Sequence, residues 1–335
     1  MKSTAITNAN IALIKYWGRR DDELILPLND SISFTMDDQL QTITSVEFDS
    51  SLKCDSLVLD GSFATEKELT RVSKFLDVVR SLAKKPNLYA NVISKNNFPK
   101  SAGLASSAAA FAALAGASSK AIGLDLSREE LSALARRGSG SASRSIHGGA
   151  VMWQMGKKAD GSDSHAVSLS PASKWTDLRN VIAITSSTEK KVGSAAGMKT
   201  SAQNSFLLSA RLATVGKRLE IVSGAIKEGN FEKMAQTIMQ ESNNMHAVML
   251  DSWPPLVYLN RYSFEIIEKV LELNASYGKS VAAYTFDAGP NAHIYTTSKY
   301  ENEVKKLVQS VSGVEKMLVC KVGEGLRYSN NHLIN

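Results

Sequence analysis

From Asn97 to Ser119 the chain reads NFPKSAGLASSAAAFAALAGASS, and no other stretch restricts the fold as much. A loop of small and hydroxyl-bearing residues runs directly into a helix made almost wholly of alanine. The alanine run suits close helix packing rather than chemistry. Gly103, Ser106 and Ser107 leave room for something large to approach the backbone where that helix begins. The first N–H groups of a helix lack intrahelical partners, and the helix dipole adds partial positive charge, so the place suits a phosphate. Serine and glycine also cap ordinary helices, so this stretch alone leaves both readings open.

The remaining composition narrows the choice. A chain of 335 residues with 43% hydrophobic and 21% charged residues is globular and long enough for a two-lobed enzyme-sized body. Its formal charge of +6 is spread over small groups: Lys15, Arg19 and Arg20, then Arg136, Arg137 and Arg144, then Lys190, Lys191 and Lys199. No aromatic residues are interleaved with them as in single-strand nucleic-acid binders, so compact polyanions fit better than a DNA backbone. Two distant cysteines, Cys54 and Cys320, make neither a disulfide framework nor a four-ligand metal site. The opening MKSTAITNANIALIKYWGRR has no uninterrupted apolar core of signal-peptide form, and the apolar run near Ala108 to Ala117 is short for a membrane span. A cytoplasmic protein without stable membrane association is expected.

Residue patterning predicts strands in the words NANIALIKYW, LILPLNDSISFTM and LQTITSVEF, which together read as an opening sheet. Further strands are expected at SLVLD, LYANVISKN, Gly148 to Met155, Val181 to Ser186, on both sides of DAGPN, and at KMLVCKV. Leu69, Val72, Phe75, Leu76 and Val79 recur at helical spacing, which predicts a helix from Glu66 to Leu82. Asp125 or Ser127 is the expected cap of the next helix. Most of Ser194 to Asn274 reads as helix, broken near Gly229–Asn230 and Trp253–Pro255, with another helix from about Tyr300. Strands and helices mix without a regular βαβ period, so the fold class is α+β. A soft boundary near residues 185–195 divides the chain into an N-terminal part, 1–187, and a helix-rich part, 188–335.

A nucleotide would need an unusual cradle, because the chain has no Walker A sequence, dinucleotide fingerprint or protein-kinase motif. The chain resembles the mevalonate diphosphate decarboxylases, of the superfamily that includes galactokinase, homoserine kinase and mevalonate kinase. The matching words are NIALIKYWGRRDDELILPLNDSIS (Asn10 to Ser33), NFPKSAGLASSAAAFAAL (Asn97 to Leu114) and RRGSGSASRSIHGG (Arg136 to Gly149). They continue in order with KWTDL, SAAGM (Ser194 to Met198), SNNMHAVMLDSWPP (Ser242 to Pro255) and AYTFDAGPNAHI (Ala283 to Ile294), so the likeness spans nearly the whole chain. It implies a two-lobed fold with the active cleft between an ATP- and substrate-binding lobe, 1–187, and a helix-rich α+β lobe, 188–335, which could exchange strands. It also implies a cytoplasmic homodimer and no nucleic-acid partner. The implied activity is ATP- and Mg²⁺-dependent decarboxylation of (R)-5-diphosphomevalonate to isopentenyl diphosphate, ADP, phosphate and CO₂.

The resemblance also implies roles. Asp287, in DAGPN, would be the carboxylate at the 3-hydroxyl, although an aspartate there is also an ordinary turn former. Arg144 would grip the substrate carboxylate with its planar fork, and Lys15 would neutralise phosphate or carboxylate. Tyr16, Arg19, Ser139, Ser141 and Ser194 would contact substrate. Ser101, Gly103, Leu104, Ala105, Ser106 and Ser107 would face the ATP phosphates. Mg²⁺ would come with the nucleotide, held by phosphate oxygens and water, with no metal-ligand set of the protein's own. Trp17 reads as packing and His246 as a structural helix residue. Asn96 and Asn97 are candidates for the adenine side. The family usually has lysine at Arg19 and often cysteine at Ser143; the first change alters hydrogen-bonding shape, and the second removes a thiol the chemistry does not use. Rival readings are a decarboxylase of 5-phosphomevalonate, a kinase that stops at the 3-phosphate, and a catalytically dead ATP- or RNA-binding protein.

Overall fold

The structure, a computed structural model, describes residues 1–98, 106–188 and 191–334. The chain opens with β1 (Lys2–Asn8), β2 (Asn10–Ile14), β3 (Arg19–Asp21), β4 (Leu26–Pro27), β5 (Ser31–Thr35) and β6 (Gln41–Asp49). The hairpin β7 (Ser56–Leu59) and β8 (Ser62–Phe63) precedes α1 (Glu66–Leu82) and β9 (Tyr89–Asn96). Next come α2 (Ser106–Ile122), α3 (Arg128–Gly138), β10 (Ala150–Trp153), β11 (Ala166–Ser170) and β12 (Leu178–Ile184). A helical stretch follows: α4 (Ser194–Asn204), α5 (Leu207–Glu228), α6 (Phe231–Asp251) and α7 (Arg261–Tyr277). The chain closes with β13 (Ala282–Phe286), β14 (Ala292–Thr297), α8 (Glu301–Gln309), β15 (Lys316–Lys321) and β16 (Arg327–Ser329). The architecture is the mixed α+β one that patterning predicts. The short strands β3, β8, β11 and β16 are additions to it.

The opening strands do not make one sheet. β1 and β6 belong to a six-stranded sheet, β16-β1-β6-β9-β7-β8, whereas β2 and β5 belong to a four-stranded one, β11-β10-β5-β2. The chain switches sheets at Ala9, whose N–H donates to Leu40 and whose carbonyl accepts from Met36. A third sheet, β13-β14-β12-β15, takes β12 from before residue 187, while β16 returns from the C-terminal end to pair with β1.

Local chemistry explains the helix ends. Thr65 and Glu68 form a reciprocal capping box on α1, and Ser127 and Glu130 form one on α3, so Ser127 rather than Asp125 is the cap. α5 stops at Gly229 in the left-handed region, φ 69°, and Asn230 caps α6 by accepting from the Lys233 N–H at 3.0 Å. The alanines of α2 let it lie close on the six-stranded sheet. A Cβ at Gly116 would stand 2.4 Å from a Leu326 methyl and 3.3 Å from the Ala5 Cβ. Beneath α2, Ala112 and Ala115 join Val46, Val92, Phe75 and Val79 in one core. A larger core unites the other two four-stranded sheets through Ile11, Phe34, Val181, Ile294 and Tyr295, with Ile238 and Ile266 from the helices. Among the described residues, no helix is long and apolar enough to cross a membrane.

Candidate active site

Asp287 and Lys15 reach one another from two different sheets. Asp287 follows β13 on a turn tied down locally: the Gly289 N–H donates to the Asp287 carbonyl at 2.8 Å. The Asn291 side chain accepts from the N–H groups of Thr185 at 2.7 Å and Ser186 at 3.1 Å. Lys15 is the first residue beyond β2, and its Nζ donates to Asp287 Oδ1 at 2.7 Å. The lysine side chain is 2% exposed and the aspartate 32%, so the cation is buried behind a part-exposed carboxylate. Burial works to raise the Asp287 carboxyl, but Lys15, His293 and Arg144 outweigh it and hold the group below its ordinary range. Burial lowers the Lys15 ammonium against the pull of Asp287 and Glu241.

Arg144 lies in the tight 3₁₀ stretch Gly140–Ile146 and is 2% exposed. Its Nε donates to Asn10 Oδ1 at 3.0 Å and Ser33 Oγ at 3.1 Å, and its Nη1 donates to Ser31 Oγ at 2.6 Å. These partners are neutral. Nη2 has no hydrogen-bond partner among the described residues. Burial pushes the guanidinium down to about 10, with Asp287 acting in the opposite sense. Such a cation is oriented but lacks a bonded counter-charge, which suits an incoming carboxylate.

Hydroxyls line the route from α2 to this corner. Ser139 Oγ, at the end of α3, lies 3.4 Å from Ser107 Oγ on α2 and 3.4 Å from Ser141 Oγ. Gly140 between them is obligatory for space, because a Cβ there would meet Tyr16 and Trp153 ring atoms, each at 2.8 Å. The Tyr16 ring meets Trp153 edge-on at 4.8 Å, and its hydroxyl accepts from Arg19 Nε at 2.7 Å. Trp17 is 2% exposed and donates through Nε1 to Ser201 Oγ at 2.9 Å, so it packs as expected and pins α4 beside the Lys15–Arg19 segment. Ser194 heads that helix, and Ser106 heads α2. The structure thus brings Lys15, Arg144 and Asp287 together and links Ser107, Ser139 and Ser141. Ser101, Gly103, Leu104 and Ala105, with Lys190, lie outside the described residues.

Asn96 and Asn97 make hydrogen bonds within the N-terminal part of the chain. The Asn96 amide and backbone N–H donate to Asp60, and Asn97 ties the Gln41 N–H and the Asp38 carbonyl. Several neighbours of the site were not singled out by sequence reasoning. Asn10, Ser31 and Ser33 hold Arg144, and nothing in isolated strand residues marks them as an arginine cradle. Arg71 on α1 donates to the Gly138 carbonyl at 2.9 Å and lies 4.4 Å above the Phe111 ring. His246, a helix residue as expected, stands near Lys15 and Asp287, and burial pushes its imidazole down to about 4. His293 on β14 is fully buried, senses Asp287 and is likewise pushed to about 4. Its one sequence signal is a titratable residue inside the otherwise apolar run AHIY. Among the described residues, no group of three His, Cys, Asp or Glu side chains is arranged to hold a metal ion.

Two family models match the chain in succession. The diphosphomevalonate decarboxylase-like N-terminal domain covers residues 7–166, and the mevalonate 5-diphosphate decarboxylase C-terminal domain covers residues 180–328. The diphosphomevalonate decarboxylase of Ganoderma lucidum is 43% identical over 324 residues, which is 92% of this chain and 81% of that protein. The crystal structure of mevalonate diphosphate decarboxylase from Staphylococcus aureus superposes with a TM-score of 0.92 at 36% identity, covering 98% of each chain. A further solved structure, a complex with MVAPP, AMPPCP and magnesium, matches at 36% identity and TM-score 0.91 over 99% of each chain. With a buried Lys15 paired to a part-exposed Asp287 in the field of Arg144, and similarity along almost its whole length, the chain belongs to the diphosphomevalonate decarboxylase family.

Proposed function

We propose that this cleft carries out the ATP-dependent decarboxylation of (R)-5-diphosphomevalonate to isopentenyl diphosphate, ADP, phosphate and CO₂, a step of isoprenoid biosynthesis by the mevalonate route. The observation that carries the reading is the part-open Asp287 carboxylate, 2.7 Å from a buried Lys15, in the field of Arg144. A tertiary hydroxyl is a poor leaving group, so the γ-phosphoryl of ATP first becomes its ester. Asp287 orients the 3-hydroxyl and accepts its proton as the O–P bond forms. Transfer to a metaphosphate-like centre requires little prior deprotonation, so orientation outweighs basicity. The C3–O bond then breaks with its electrons leaving on phosphate. The C1–C2 electrons move into the new C2=C3 bond, and C1 departs as CO₂.

Arg144 holds the substrate carboxylate until that bond breaks, and Lys15 keeps Asp287 ionised while facing the transferred charge. Tyr16, Arg19, Ser139, Ser141 and Ser194 bind the rest of the substrate. Ser101, Gly103, Leu104, Ala105, Ser106 and Ser107 cradle the ATP phosphates. Hydroxyls such as Ser107 suit Mg²⁺ held mainly by phosphate oxygens and water, and the ion would neutralise charge on the transferred phosphoryl group. Lobes of residues 1–187 and 188–335, exchanging β12 and β16, frame the cleft.

A cytoplasmic homodimer belongs to the same proposal; sedimentation showing only a 36.2 kDa species would remove the dimer. The deciding experiment incubates the protein with ATP and either 5-diphosphomevalonate or 5-phosphomevalonate while trapping CO₂ and measuring ADP. Equal CO₂ and ADP with the diphosphate alone is expected. CO₂ from the monophosphate alone would replace the substrate, and ADP without CO₂ would reduce the protein to a kinase.

A further inference from the structure

Lys15 and Asp287 are carried by the edge strands of two separate sheets, β2 and β13. Edge strands present unpaired N–H groups, and nothing in either ladder fixes the distance between them. The helix α6 spans that gap. Glu241 accepts the Lys15 N–H at 2.9 Å. The next residue, Ser242, accepts the N–H of Phe286, the neighbour of Asp287, at 3.0 Å. Glu241 is 0% exposed and Ser242 1%, so neither bond has water as a competitor.

The Lys15 peptide is held on both sides. Arg211 Nη2 donates to its carbonyl at 3.1 Å and to Glu241 Oε1 at 2.5 Å, and Asn29 donates to the same carbonyl at 3.0 Å. Arg218 Nε closes the cluster on Glu241 Oε2 at 2.6 Å. Two arginines already satisfy the carboxylate's charge, so the bond to Lys15 is not needed to neutralise it. That bond instead transmits the position of α6 to the residue whose Nζ meets Asp287.

We propose that Glu241 and Ser242 are positioning residues, adjacent on one helix, that together set the Lys15–Asp287 separation by each holding the backbone of one partner's segment. The proposal rests on Lys15 and Asp287 forming the reactive pair. Misplacement of reacting groups by about 1 Å can cost about a hundredfold in rate, so a helix that spaces two edge strands has leverage on turnover without touching substrate.

The test is a double-mutant cycle on the rate of phosphoryl transfer. Glu241→Gln keeps shape and one acceptor but loses the charge that gathers Arg211, Arg218 and Lys15. Lys15→Ala removes Nζ while leaving the N–H that Glu241 holds. Glu241→Gln alone should lower kcat by about tenfold or more with both KM values within about threefold. In the Lys15→Ala background it should cost less than about twofold, because coupled residues are not additive. Multiplying effects would mean that Glu241 acts on stability alone and would overturn the proposal. If Glu241→Gln does not fold, the cycle of Ser242→Ala with Asp287→Asn decides by the same criterion. A fully active Lys15→Ala would sink the assignment of the reactive pair and this inference with it; a crippled Lys15→Ala with multiplying effects sinks only the positioning role.

Discussion

Arg80 and Arg144 are buried to the same degree, 3% and 2% exposed, yet they live in opposite electrostatic worlds. Arg80, on α1, meets Asp55 through two parallel bonds of 2.9 and 3.1 Å and takes Asp77 at 2.6 Å. Asp55 also accepts the Ala90 N–H at 2.9 Å, which ties the pair to β9. Burial acts to lower this guanidinium, but the two carboxylates prevail and its pKa is raised. Arg144 has only neutral oxygens, and burial drives it down to about 10. A guanidinium matched by carboxylates within the protein is complete and holds the fold. One gripped by neutral groups in a cleft is complete only with a ligand, and its burial is a cost the fold bears for function.

That contrast breaks first at Asp287. Asp287→Asn should lower kcat by a factor of about 10² to 10⁴ while substrate and ATP still bind. In rapid quench, 3-phosphate formation and CO₂ release should fall together; near-normal phosphate transfer would move Asp287 to the later step. The sign of its pH effect follows from the depressed carboxyl. Its ion-pair contribution to stability is fully present above the ordinary value of 3.8 and is lost only as pH falls through the lower folded value. Urea unfolding of wild type and Asp287→Asn across the acid range should therefore converge at the lowest pH.

At the closed pair the loss should be one of stability. Arg80→Ala strands Asp55 and should cost about 3–5 kcal/mol by urea unfolding, with kcat per folded molecule unchanged. A stable variant with lost turnover would invert the comparison. Arg144→Gln should do the reverse. It should remove about 2–5 kcal/mol of transition-state binding, chiefly through the substrate acid, with an unfolding midpoint equal to or above that of wild type. A large fall in that midpoint would class Arg144 with Arg80.

Smaller effects sharpen the picture at the hydroxyl route and the outer cation. Ser107→Ala should cost about 1–3 kcal/mol, seen as weakened ATP and Mg²⁺ titrations, and unchanged kinetics would remove Ser107 from the phosphate site. Arg19→Lys loses the planar bond to the Tyr16 hydroxyl but keeps the charge, so activity should survive within about 1 kcal/mol in kcat/KM. A larger loss would show that the guanidinium shape at Arg19 matters to this chain.

The helices were the most legible part, because their signals are local. The apolar spacing from Leu69 to Val79, the cap expected at Asp125 or Ser127 and the break near Gly229–Asn230 all act within a few residues of where they stand, whereas the caps at Thr65 and Asn230 emerge only in the structure. Strands were legible as elements but not as partners. NIALI and SISFT read as neighbours of TITSVEF, yet the chain changes sheets at Ala9, and strand patterning has no term for which edge a strand will join. The three-residue β16 carries too little pattern to be read at all, because its pairing is supplied by β1, more than 300 positions away in register.

The sequence by itself determined the family, the α+β class and the words that carry Lys15, Arg144 and Asp287, because motif chemistry survives in linear order. Tertiary structure alone decided that Asn10, Ser31 and Ser33 would hold Arg144 without an acid, and that Glu241 would clamp the Lys15 backbone. It also decided that His293 would stand in the field of Asp287. Serine, asparagine and glutamate are ordinary surface residues in a linear reading, and burial changes what each is worth. The energy of a charge depends on the partners and the water around it, and those are properties of folded space rather than of spacing along the chain.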